Sequence, residues 1–320
     1  MRFLLLPFAI LYGLGVRLRH FLYDRGWLSS KHYPFPILCV GNLAVGGTGK
    51  TPMVEYLVRL LGQEQVAVLS RGYRRKTKGF VLADDSATAM TLGDEPYQYH
   101  RKFPRATVAV CENRQEGIER LLENPHFKYI ILDDAFQHRK VQAGTNLLLT
   151  SYDKLYTQDF LLPVGSLRDI RSRARKAQII IVTKCPELTQ AEQEKIIQQL
   201  KPLPSQKVYF TSIAYSDRVY SHEDSQALKD FITTPFTLVT GIANPTPLVD
   251  FLEKQGASFE HLAYSDHHHF SNRELEFLRQ KGRILTTEKD YVRLEGALPT
   301  LYYLPIETQF LNDQRLIFND

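Results

Sequence analysis

The order of apolar runs predicts an α/β protein: a mainly parallel sheet with flanking helices, followed by a smaller C-terminal α/β unit. Three observations carry this. Apolar runs of strand length alternate with helical patterns. Two of those runs, "YIILDD" and "QIIIVTK", are continuously apolar, as strands covered on both faces are. The β/α alternation restarts after "KPLPSQ", a connector with two prolines at 201–206. Over 320 residues, 43% hydrophobic and 23% charged content argue against a disordered chain and leave room for one large or two ordinary domains.

From the N-terminus, "MRFLLLPFAILYGLGV" is apolar over roughly 14 residues, short of the ~20 that span a bilayer. It lacks the small-x-small cleavage site of a signal peptide. Arg17, Arg19, His20 and Arg25 follow, interleaved with Leu18, Phe21, Leu22 and Trp27. That mixture fits a helix in the membrane interface, with arginines among headgroups; the alternative is a helix packed on the core. Residues 1–30 are therefore set apart as a membrane-associating segment. Strands are expected at 36–41, 65–70, 107–111, 128–133, 145–150 and 178–183, and helices at 50–62, 115–123 and 189–200. The last helix opens on a capping box, Thr189 with Glu192. Residues 31–205 form the expected main domain and 206–320 the smaller one. In the latter, "FTLVTGIANPTPLVDFLEKQG" reads as strand, glycine turn and helix. "SNRELEFLRQKG" carries a second capping box, Ser271 with Glu274, and "RILTTEKD" ends a strand in a charged turn.

Between the first strand and helix lies "GNLAVGGTGKTP". It matches the phosphate-binding pattern G-x-x-x-x-G-K-S/T except that Ala44 takes the first glycine's place; Gly41 is the expected source of the sharp turn. Gly46, Gly47, Thr48 and Gly49 let backbone N–H groups wrap phosphates at a helix N-terminus. Lys50 reaches the β- and γ-phosphates and Thr51 ligates magnesium. The fold expected is thus P-loop NTPase-like, with a nucleotide and Mg2+ as ligands. Such a site needs an acid at the end of a neighbouring strand, and Asp133 and Asp134 stand there. In "TLGDEPYQYH", Asp94 sits in a turn and is a candidate base for an acceptor hydroxyl.

"YSDHHHFS" places Asp266, His267, His268 and His269 together. It reads as a loop feature, a zinc site, or a histidine partnering a catalytic carboxylate. Adjacent residues of an extended segment point to opposite sides, so at most two of the histidines share one ion easily. Two basic clusters, "SRGYRRKTKG" and "GSLRDIRSRARK", are solvated faces from which one or two arginines can meet phosphate. "IVTKCP" has Pro186 where a guanine-reading N-K-x-D motif has its aspartate, so GTP specificity has no support.

Taken together, "VGNLAVGGTGKTP", "LSRGY", "GDEP", "DDAFQH", "LPVGSLRD", "SDHHHF" and "TEKD", in that order over nearly the whole chain, resemble the tetraacyldisaccharide 4'-kinase (lipid A 4'-kinase) family of Gram-negative bacteria. The resemblance implies transfer of the γ-phosphate of ATP to the 4'-hydroxyl of a tetraacylated glucosamine disaccharide 1-phosphate. The enzyme would sit on the cytoplasmic face of the inner membrane, held by its N-terminal helix. The resemblance also implies that Asp94 is the base, His267 its dyad partner, and Asp133 and Asp134 the magnesium-side acids. Ala44 matches the family's own loop. Two departures stand out: Asp169 where the family commonly has glutamate, and Arg74 where a small residue is more usual.

The rival from another class is a membrane-docked P-loop regulatory NTPase. A net charge of +5 fits an acidic ligand or membrane surface but does not by itself indicate nucleic acid, and no aromatic-interleaved recognition motif appears. No nucleic acid and no specific protein partner are therefore expected. Cys39, Cys111 and Cys185 form no CxxC pair and read as buried thiols in a reducing compartment.

Overall fold

A computed structural model describes residues 2–266 and 268–318. Its centre is a nine-stranded sheet whose order, from one edge, is Ile306–Phe310, Lys207–Tyr215, Ile179–Thr183, Thr145–Ser151, Ile37–Asn42, Tyr129–Asp133, Val66–Ser70, Thr107–Val110 and Val81–Leu82. Only the two edge strands run antiparallel to their neighbours. The six strands expected from sequence all form, each within a residue or so of its expected bounds. Alternate residues explain the continuous apolar runs. Ile37 and Cys39 face one core with Ile130 and Leu132, while Leu38 and Val40 face the other with Ile131. All three cysteines are buried and free.

A second sheet of six strands takes Arg218–Tyr220, Ser225–Ala227, Phe236–Thr240, Phe259–Ala263, Ile284–Thr287 and Leu301–Leu304. The expected division at 206 falls just before Lys207–Tyr215, which pairs with Ile179–Thr183 and so extends the large sheet. The chain returns to that sheet at Ile306–Phe310. Prolines marked the connector, but strand pairing places the second sheet within 218–304.

Both capping boxes form, at Thr189 with Glu192 and at Ser271 with Glu274. Two expected turns instead open helices. Asp94 is the first residue of the helix Asp94–Lys102, and "TEKD" begins the helix Glu288–Leu294, which Thr287 caps by accepting the Asp290 N–H. These two helices pack on each other and join the two sheets.

The N-terminal helix, Leu6–Asp24, docks through a narrow stripe, Ala9, Gly13 and His20. A Cβ on Gly13 would meet Leu161 Cδ1 at 2.8 Å, so a small residue sets how closely the helix lies. Phe8, Ile10, Leu11, Leu14, Leu18 and Phe21 are exposed. Among the described residues, no helix is long and apolar enough to cross a membrane.

Candidate active site

The phosphate loop leaves the C-terminal end of the central strand Ile37–Asn42 and enters the helix Lys50–Leu61. Gly46 and Gly49 adopt φ of 107° and 78°, conformations that favour glycine. Ala44 instead forms an extended bridge with Leu167, flanked by Val45 N–H to Ser166 O and Arg168 N–H to Leu43 O, each 2.8 Å. An L-residue adopts that conformation without strain, so no glycine is needed there. Gly41 supplies no turn. It lies within the strand, where a Cβ would stand 2.6 Å from Phe136 Cβ and 2.9 Å from Phe136 N. Its role is to let the two backbones approach.

Thr48 is buried. Its hydroxyl accepts from Asn42 Nδ2 at 2.8 Å and its carbonyl accepts from Thr183 Oγ1 at 3.0 Å. Gly47 is exposed, with Lys184 Nζ the one neighbouring atom within reach of a Cβ, at 3.7 Å. Lys50 Nζ lies 3.5 Å from Asn42 Oδ1 and 3.7 Å from Asp134 Oδ1.

Asp133 ends the neighbouring strand, with Val40 in register opposite it, and Asp134 is the turn residue that follows. Their environments differ. Asp133 is buried and accepts from Ser70 Oγ at 3.1 Å. Burial, then the charges of Asp134 and Glu95, push its pKa up to about 6. Asp134 takes a left-handed φ of 48°. Burial alone raises its pKa, but Lys50 and Arg168 outweigh that and hold it below the ordinary value. Arg168 makes two contacts to the Asp134 carboxylate and donates to Asn42 Oδ1 at 2.7 Å. Of the second basic cluster, then, Arg168 reaches the phosphate loop, whereas Arg171 donates to the Asp159 carbonyl at 2.6 Å. In the first cluster Arg75 is occupied by Glu112, 2.8 Å away. Arg74 has a left-handed φ of 60° and lies over Tyr73.

Hard oxygen donors suit magnesium. Thr51 and Asp133 supply a hydroxyl and a carboxylate beside the phosphate loop, and Asp133 has the raised pKa of a buried carboxylate that a cation would relieve. Asp134 is the acid already neutralised by protein cations. Tyr99 is buried nearby, where burial and the Asp133 charge push its hydroxyl well above its ordinary pKa.

Asp169 stands apart from this constellation. It is buried and accepts from the Ile170 N–H at 2.8 Å, and its Oδ1 lies 2.6 Å from His20 Nε2 of the N-terminal helix. Tyr12 Oη also donates to the Arg168 carbonyl at 2.8 Å, so that helix is fastened to the segment carrying Arg168.

Gly93 turns the chain into the Asp94 helix with φ of 92°, and a Cβ there would meet the Tyr73 carbonyl oxygen at 2.9 Å. "GDEP" and "SRGY" therefore touch backbone to backbone. Asp94 Oδ2 accepts from Arg293 Nη2 at 2.6 Å and Nε at 3.0 Å. His267 lies outside the described residues. Next to it, Asp266 Oδ1 accepts from Lys289 Nζ at 3.2 Å, which ties that loop to the helix bearing Arg293. His268 is engaged with Glu274 at 2.9 Å, inside the capping box, and His269 is exposed. Among the described residues no cluster of His, Cys, Asp or Glu could hold a metal ion by itself.

Sequence reasoning missed Arg293, Asn42 and the His20–Asp169 pair. The i, i+3 spacing of Asp290 and Arg293 was the one available signal for Arg293.

The family model for tetraacyldisaccharide-1-P 4'-kinase matches residues 1–318. A protein named tetraacyldisaccharide 4'-kinase from Flavobacterium johnsoniae is 48% identical over 98% of this chain and 94% of its own length. One of the same name from Bacteroides thetaiotaomicron is 43% identical over 98% and 90%. The crystal structure of LpxK from Aquifex aeolicus in complex with ATP superposes with a TM-score of 0.81 at 29% identity, covering 98% of this chain and 96% of that one.

Proposed function

The chain belongs to the tetraacyldisaccharide-1-P 4'-kinase family, and from that premise we propose how its residues divide the steps of phosphoryl transfer. The protein is an ATP-dependent tetraacyldisaccharide 4'-kinase of lipid A biosynthesis. Phosphoryl transfer needs alignment and charge neutralisation more than covalent chemistry. Lys50 and the amides of the loop from Gly46 through Gly47, Thr48 and Gly49 to Thr51 hold the β- and γ-phosphates of ATP. Thr51 and Asp133 would hold magnesium, which when bound would supply neutralisation of phosphate charge. Asp134, kept anionic by Lys50 and Arg168, fixes the direction of both cations. Asp94 accepts the proton of the 4'-hydroxyl, and His267 is its dyad partner.

The acceptor is an acylated disaccharide 1-phosphate, whose chains stay in a membrane while its sugar reaches the site. The N-terminal helix lies in the interface on the cytoplasmic face of the inner membrane. Its exposed Phe8, Leu11, Leu14 and Leu18, with Arg17 beside them, support that reading.

One observation carries the assignment: Lys50 stands between Asn42 and Asp134, with the buried Asp133 carboxylate beside them at the ends of two adjacent parallel strands. The test incubates the protein with labelled ATP and tetraacyldisaccharide 1-phosphate in detergent. Label should pass to the lipid. Asp94→Ala should keep ATP binding and lose most turnover. Release of free phosphate alone would instead support the regulatory NTPase.

A further inference from the structure

The Asp94 carboxylate is gripped from outside its own helix. Its partner Arg293 comes from the second sheet's unit, 199 residues away in sequence. Arg293 is itself anchored. Its Nη1 donates to Asp290 Oδ1 at 3.1 Å, and Asp290 is fully buried. Asp290 Oδ2 accepts from the Gly241 N–H at 2.8 Å and from Thr287 Oγ1 at 2.7 Å. An unbroken chain of charge-assisted hydrogen bonds therefore runs from the end of the strand Phe236–Thr240, through Asp290 and Arg293, to Asp94. Arg293 is buried at its side chain, 7% exposed, so solvent does not compete for it.

Nη2 and Nε of Arg293 both donate to Oδ2 of Asp94. A guanidinium gripping one oxygen from two nitrogens fixes where that oxygen stands. A base must present one oxygen within hydrogen-bond reach of the hydroxyl proton it takes. We propose that Arg293, anchored by Asp290, is a positioning residue that orients Asp94 for the acceptor hydroxyl, so that the second sheet's unit takes part in the transfer. This rests on the reading of Asp94 as the base.

The bland alternative is that Arg293 only ties two helices together. A second, more exposed bridge joins the first helix to the end of the other without touching Asp94, Arg101 to Glu295, and it provides the control. Arg293→Gln is expected to lower kcat about 10- to 100-fold, the scale of a misplaced catalytic group, with KM for ATP within about twofold. Arg293→Lys should recover only part of kcat, because one ammonium cannot reproduce the fork that holds Asp94 and Asp290 together, and Arg101→Gln should leave kcat unchanged. In an Asp94→Asn background, adding Arg293→Gln should cost less than about a further twofold, because residues acting as one unit are not additive. Wild-type kcat in Arg293→Gln beside an inactive Asp94→Asn overturns the positioning role alone. So does an equal loss from Arg293→Gln in the wild-type and Asp94→Asn backgrounds. Wild-type kcat in Asp94→Asn instead removes the base reading, and this role with it. If Arg293→Gln does not accumulate folded, Asp290→Asn carries the same test: the same split of kcat from KM supports the role, and an unchanged kcat overturns it.

Discussion

Replacing Lys102 with methionine tests what braces the Asp94 helix against the second sheet's unit. Lys102 ends that helix, and its Nζ lies 2.8 Å from Glu55 Oε2 and 2.7 Å from Glu288 Oε2. Glu55 is 1% exposed and Glu288 7%, so one cation serves two buried carboxylates. Gln98 donates to Glu55 at 2.7 Å and Arg59 stands 3.5 Å away, which leaves Glu288 the more dependent partner. Burial, then the Glu55 charge, already push Glu288 up to about 7 against the pull of Lys102. Removing one partner of a buried ion pair costs about 3–5 kcal/mol.

The sign of the pH effect follows from the raised value. The unfolded chain ionises Glu288 near 4.5 while the folded chain keeps its proton until about 7, so wild-type stability falls across that window and levels off above it. Without Lys102 the folded value rises further and the fall continues past 7. The variant's deficit should therefore grow from pH 6 to pH 8. Unfolding entropy of about 2 cal/mol/K per residue makes 3 kcal/mol worth roughly 4–5 °C in a chain of this length. Thermal unfolding in detergent should show Lys102→Met lower by about that much at pH 8 and by clearly less at pH 6. The double variant Lys102→Met with Glu288→Gln should regain part of the loss. An equal Tm for wild type and variant, or a deficit independent of pH, would refute the reasoning.

Asp133→Asn should stabilise the metal-free protein while abolishing turnover. A rise from 3.8 to about 6 corresponds to about 3 kcal/mol of burial penalty, fully present above pH 6 and vanishing below 4. Its Tm should thus exceed wild type at pH 8, with the gain shrinking at pH 5, and kcat should drop at least about 100-fold. Gly41→Ala forces a methyl against the Phe136 backbone, an overpacking cost of about 1–3 kcal/mol. Because the adjoining Gln137 donates to the Asn42 carbonyl, the same variant should weaken ATP binding, read as a raised KM for ATP alongside a lower Tm.

Much of the site was legible because its signals are local. Glycines before Lys50 and Thr51, an apolar strand ahead of them and an acidic pair after "YIIL" each declare their conformation from neighbouring residues. Capping boxes at Thr189 and Ser271 are likewise complete within four residues. Elsewhere the local signal is ambiguous. Gly-Asp-Glu-Pro and Thr-Glu-Lys-Asp look like turns, yet the first residues of a helix are also where acids and prolines belong, so both open helices. Gly41 looked like a turn glycine because sequence does not show that Phe136 crosses it.

Sequence alone determined the parallel sheet, the phosphate loop at the end of its central strand and the acids beside it. Those features follow from side-chain periodicity and backbone sterics over a few residues. Tertiary structure decided the partnerships: Arg168 with Asp134, His20 with Asp169, Arg293 with Asp94. Each joins residues 34, 149 or 199 positions apart. Which charges meet across such distances depends on strand order and on how the two helices dock, and no local pattern encodes either.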